Sequence, residues 1–130
     1  MPDSSLRQEM LAAAKRDMKA LSNMLDCENF DDHTFGFHAQ QAIEKALKAW
    51  LLFLGGANVF THDLGYLLQK LEEQGVDVEA YWVFLDLTNY AVRFRYGAIP
   101  DDEEPLDRTA LVLDIGGLIA HVASLIEPET

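Results

Sequence analysis

Apolar residues recur every three or four positions along most of this chain, most regularly in one stretch. From Phe37 through Ala42/Ile43, Ala46/Leu47 and Trp50/Leu51 to Leu54 they mark a single buried stripe on a helix. Beside that stripe His38, Gln41 and Lys45 stand three and then four positions apart, so they share one edge of the same helix. A polar row next to a core stripe is where a helical bundle can build a site.

The same periodicity predicts four further helices. The first spans about 5 to 25, with Leu6, Met10, Ala13/Ala14, Met18, Leu21 and Leu25 on one stripe and Lys15, Arg16 and Lys19 towards water. Asp31 or Asp32 is placed to cap the second helix, and Gly55-Gly56 to close it. Thr61 is placed to cap a third, over 63 to 74, with Asp63 near its positive end. The apolar face of this helix is Leu64, Leu67/Leu68 and Leu71, and Gly75 ends it.

A fourth helix, about 78 to 95, is apolar over most of its circumference through Tyr81, Trp82, Phe84, Leu85, Leu87, Ala91, Val92 and Phe94. Such a helix is expected at the centre of the bundle or shared with a second subunit, which predicts a homodimer. Its polar exceptions, Asp86, Asn89/Tyr90 and Arg93, form a row at helical spacing. The fifth helix is expected to open at Glu104 or Pro105, with a stripe of Leu111, Ile115, Leu118/Ile119, Val122 and Leu125/Ile126. Gly116-Gly117 within it costs about 1 kcal/mol per glycine relative to alanine, which predicts close helix–helix approach there. With no strand pattern, these features imply an all-α fold: an antiparallel up-and-down bundle of four to five helices, one domain over residues 1–130.

Composition narrows the function classes. A hydrophobic content of 49% is ordinary for a globular protein and argues against disorder. The best apolar run, 50 to 54, is cut off by Gly55-Gly56, far short of the roughly 20 residues of a membrane span. No basic start followed by an apolar core marks export, and the lone Cys27 cannot form an internal disulfide, so a soluble, cytoplasmic protein away from membranes is expected. The net charge of −12 is uneven: residues 1–50 hold six Lys/Arg against eight Asp/Glu, residues 51–130 four against fourteen. Such a surface forgoes the counterion release that drives non-specific nucleic-acid binding, so any RNA contact needs a local basic site or a basic partner.

Several chemistries lack their residues. His33 has no second histidine or cysteine at ligand spacing, and no Glu-x-x-His repeat offers a di-iron site. Gly55-Gly56-Ala57-Asn58 lacks the lysine and spacing of a phosphate loop, and no nucleophile triad has local support. No metal and no cofactor are expected.

Four motifs together resemble the HEPN family, small helical domains of bacteria and archaea often encoded beside minimal nucleotidyltransferases. They are Arg16-Asp17-Met18, the run from Phe37 to Leu51, Thr61-His62-Asp63-Leu64, and Tyr90 followed by Arg95-Tyr96. The resemblance implies a bundle that commonly dimerises. It also implies a role in binding nucleotides beside a nucleotidyltransferase subunit or, in some branches, in cutting RNA as a toxin. The ribonuclease branches carry an arginine, four to six residues and then a histidine. After Arg93 the positions for that histidine hold Ala98, Ile99 and Pro100; after Arg95 they hold Pro100, Asp101 and Asp102. Metal-independent RNA cleavage needs a group that exchanges protons near neutrality, as histidine does.

The expected function is therefore a non-catalytic module, half of a toxin–antitoxin-like pair, that binds a nucleotide or nucleic-acid end. Its candidate ligand contacts are His38, Gln41, Lys45, Arg93, Arg95 and Tyr96, with no catalytic residue. Lys45 suits a phosphate as a point charge, and the arginines among Tyr90, Phe94 and Tyr96 suit an anion with a base. Each has a structural alternative: Lys45 pairing with an acid, Arg95 settling a helix C-terminus, either arginine pairing with the acidic run from Asp101. His62 is expected to close its loop by a side-chain hydrogen bond. Two other functions stay open: a ribonuclease toxin with a displaced base such as His62 or His38, and a purely structural protein-interaction bundle.

Overall fold

A computed structural model describes residues 2–26, 28–87 and 106–127, with side chains from residue 6 onwards. Its elements are α1 (Pro2–Asn23), α2 (Asp32–Phe53), α3 (Leu64–Glu73), a 3₁₀ helix (Glu79–Leu87) and α4 (Arg108–Ile126), with no strand among the described residues. The fold is all-α with antiparallel packing, as the periodicity predicts.

α2 is the central element, because α1, α3, α4 and the 3₁₀ helix all pack on it. Its stripe opens differently than expected: Phe37, one turn before Gln41, stands off the core face and is only partly buried, while Phe35, Ala39, Ala42, Ile43, Ala46, Leu47 and Ala49 are fully buried. Against them lie Leu11, Ala14 and Leu21 of α1, the four leucines of α3, and Ile115, Leu118 and Val122 of α4. The fourth helix, expected over about 78 to 95 and either central or shared with a second subunit, is described only as far as Leu87, and its expected α-helical winding is corrected there. There the chain winds as a 3₁₀ helix, in which every third residue is eclipsed. Val78, Tyr81, Phe84 and Leu87 follow that interval towards the core, leaving Val83 and Leu85 exposed. An α-helix would carry the same four residues progressively off the contact line.

The caps refine the predicted boundaries. Asp31 caps α2, its side chain accepting from the Thr34 N–H. Asp63, not Thr61, caps α3, accepting from Gly65 and Tyr66; Thr61 instead accepts from the Asp63 N–H. Asp107 caps α4, so this helix opens at Arg108 rather than at Glu104 or Pro105, which lie outside the described residues. At the end of α2, Gly55 takes φ +89° while Gly55 N–H bonds Leu52 O and Gly56 N–H bonds Leu51 O. α3 ends the same way, with Gly75 at φ +85°, a left-handed conformation that glycine adopts without steric cost.

Of the glycine pair in α4, only Gly116 meets the expectation of close approach: a Cβ there would lie 3.3 Å from Met18 Cε, whereas one on Gly117 would meet nothing within 4 Å among the described residues. Arg108–Ile126 is also long and apolar enough to span a membrane by length and composition, which corrects the sequence expectation that no segment is. One face of it, from Ile115 to Ile126, is spent on the core.

Candidate functional site

Two polar networks run along α2. The first holds the predicted row. Asp17 of α1 accepts from Lys45 Nζ at 2.7 Å, and its other oxygen lies 3.8 Å from His38 Nδ1, beyond hydrogen-bond range. His38 packs edge-on against Phe37, and its buried Nδ1 has no hydrogen-bond partner among the described residues. Gln41 turns the other way, donating to Gln40 Oε1 at 2.7 Å. The structure thus gathers His38 and Lys45 around Asp17 and directs Gln41 into the neighbouring row. Arg93, Arg95 and Tyr96 lie outside the described residues.

The second network consists of Gln40, Glu44 and Lys48, four positions apart on one helical row, with His62 from the loop before α3. Glu44 is its centre, with a side chain only 5% exposed. Its Oε1 faces His62 Nδ1 at 2.8 Å and accepts from Gln40 Nε2 at 2.9 Å, while Oε2 accepts from Lys48 Nζ at 2.9 Å. Gln40 Nε2 also donates to the His62 carbonyl at 3.0 Å, so α2 holds both backbone and ring of this residue. Burial pushes the Glu44 carboxyl up, but the hydrogen bonds from His62, Lys48 and Gln40 outweigh it and hold the group below the ordinary glutamate range. A buried carboxylate with both oxygens satisfied is affordable where a bare one is not.

His62 therefore does close its loop, as expected. Gln40, Glu44 and Lys48 escape sequence reasoning, because charges four apart on a helix usually pair at the water-facing side. The available signal was their position: this row lies between the core stripe and the His38–Gln41–Lys45 row, with no room for a wholly solvated face. Chemically, a half-exposed imidazole held at Nδ1 by a carboxylate is suited to proton exchange or to bonding an anion.

A third cluster, also unforeseen, sits at the opposite end of α2. Arg108, 5% exposed, donates through Nε and Nη2 to Asp32 Oδ1 at 3.2 and 2.9 Å. It also donates to the carbonyls of Met24, Asp26 and Phe30, and its guanidinium lies 5.1 Å from the Phe35 ring centroid. With every donor direction turned inward, Arg108 fastens the α1–α2 loop to α4 and is not a ligand contact. Among the described residues no group of three or more His, Cys, Asp or Glu side chains could hold a metal ion.

An all-α bundle wound around one central helix that carries two polar rows is the class this fold and site define. The chain belongs to the HEPN family: the model of the HEPN domain matches residues 8–114. That span contains Asp17, Gln40, Glu44, Lys48, His62 and Arg108. No curated protein and no solved structure matches the chain.

Proposed function

We propose that this HEPN domain is a non-catalytic module that binds a nucleotide or nucleic-acid end beside a minimal nucleotidyltransferase, as half of a toxin–antitoxin-like pair in the cytoplasm. The observation that carries this reading is the absence of histidine from positions 98 to 102, where Arg93 or Arg95 would need one for the ribonuclease motif. Lys45 and His38, 28% and 31% exposed, offer cationic and hydrogen-bonding contacts at the surface of α2. Asp17 already neutralises Lys45, so the arginines at 93 and 95 carry the larger share of a phosphate contact.

Calorimetry with ATP and other nucleotides, alone and with the cognate transferase, tests this function. Binding that Arg95→Ala weakens more than Lys45→Ala supports it. No heat with any nucleotide in either setting ends it.

A second reading, a metal-independent ribonuclease using His62 as a displaced base, is favoured by one observation: the 2.8 Å contact that orients the His62 ring on buried Glu44. RNA left intact by the purified protein, with no growth arrest on expression, would exclude it.

The bundle is further proposed to form a homodimer. Val83 and Leu113, 66% and 71% exposed, flank a cavity of about 330 Å³ between the 3₁₀ helix and α4. Two such apolar faces are covered when a second copy packs on them.

A further inference from the structure

Away from the α2 networks, a cavity of about 300 Å³ opens between the C-terminal turns of α2 and α3. Leu51 and Val59 supply its apolar lining, Tyr66 an aromatic ring, and Lys70, Glu73 and Gln74 its polar groups. Both flanking helices end here, with Gly56 N–H closing on Leu51 O and Gly75 N–H on Glu72 O. Two helix C-termini bring partial negative charge to the same place. Lys70 Nζ stands 5.3 Å from the Tyr66 ring centroid and 3.4 Å from a Glu73 carboxylate oxygen. The molecule's own ammonium thus sits against the ring face and carboxylate that a bound cation would use. A phosphate there would meet Glu73 and two helix ends of the wrong sign.

We infer that this pocket is a binding site for a primary ammonium or guanidinium group, with Lys70 as its built-in stand-in. Lys70 is 40% exposed on a flexible four-carbon stem, so its head can swing into water as an incoming cation takes the Tyr66 face. The group comes either from a free polyamine or from a lysine or arginine side chain of a protein partner. The net charge of −12 draws both towards the surface without choosing a place on it. The ring, the carboxylate and the apolar lining choose the place. The site is independent of any nucleotide contact along α2.

The test is an amide-resolved NMR titration of the whole chain with spermidine and, separately, with N-acetyl-arginine methylamide. Saturable shifts centred on Gly56, Tyr66 and Gln74 are expected with at least one probe. Response to spermidine alone assigns a free polyamine; response to the arginine derivative assigns a partner's side chain. Tyr66→Leu and Glu73→Gln should each weaken binding by roughly threefold to tenfold, the scale of a lost cation–π or exposed ionic contact. Lys70→Met should tighten binding about threefold, because it removes the internal competitor. Glu79→Gln deletes the same charge from an exposed residue that does not line the pocket, and should leave affinity within about twofold. Equal weakening by Glu79→Gln and Glu73→Gln would reduce the effect to a diffuse acidic field and overturn the site. Weaker binding after Lys70→Met, or no shift with either probe, would overturn it too.

Discussion

Arg108 and Asp32 join the first turns of α4 and α2 across 76 positions of sequence. Both Nε and Nη2 of the arginine donate to Asp32 Oδ1, while Oδ2 accepts from the Leu106 N–H at 2.9 Å. The same guanidinium satisfies three loop carbonyls, so its removal strands several groups together. Arg108→Met should lower stability by about 3 kcal/mol, the scale for breaking a buried charged pair. Arg108→Lys should recover only part of that, because an ammonium lacks the planar fork. Urea denaturation of the three proteins measures both; an unchanged midpoint for Arg108→Met would show that water replaces the contacts at no cost.

Acid should unfold the protein partly through Glu44. Its folded carboxyl titrates below the ordinary glutamate range because three hydrogen bonds offset burial. As pH falls, the unfolded chain takes up that proton first, so the contribution is full above the ordinary range and lost as pH drops through the lowered folded value. Asp31 acts with the same sign, held down by its hydrogen bonds from Thr34. Glu44→Gln should cost about 1–3 kcal/mol at neutral pH and flatten the acid limb of stability. Denaturant titrations from neutral into acid pH read both effects, and an acid limb as steep as the wild type's would contradict them.

The glycines of α4 should part company on substitution. Gly117→Ala meets open space and should gain about 0.5–1 kcal/mol from helix propensity alone. Gly116→Ala places its methyl 3.3 Å from Met18 Cε, so its gain should be smaller or absent. Thermal melts side by side give the order; a larger gain at Gly116 would mean that Met18 moves aside freely.

Light scattering at micromolar concentration should give a dimer mass. Leu113→Asp, a charge placed on a residue 71% exposed, should shift the mass to that of a monomer without loss of helical circular dichroism. A monomeric wild-type mass would contradict the proposed dimer.

Much of the fold was legible in the chain because α-helical periodicity is local. The stripe from Ala42 to Leu54, a cap at Asp31 or Asp32 and the glycine stops after α2 and α3 depend on residues within a few positions of one another. Phe37, five positions before Ala42, does not join the core. The 3₁₀ winding of Glu79–Leu87 was not legible, since Val78, Tyr81, Phe84 and Leu87 suit an interval of three only once the core they face is in place. Within the candidate site, the sequence marked His38, Gln41 and Lys45 as a row but could not say that Asp17 would hold Lys45 or that Gln40 would turn Gln41 aside.

What the sequence by itself determined was the approximate spans of α1, α2, α3 and α4, the α2 stripe from Ala42 onwards and the HEPN motifs, all written in short-range spacing. Only the tertiary structure decided which charges are buried. Glu44 lies in the interior because His62, 18 positions away, and Gln40 bring donors to it, and Arg108 because carbonyls 78 to 84 positions away receive it. Burial of a charge depends on partners assembled in space, and spacing along one helix cannot reveal them.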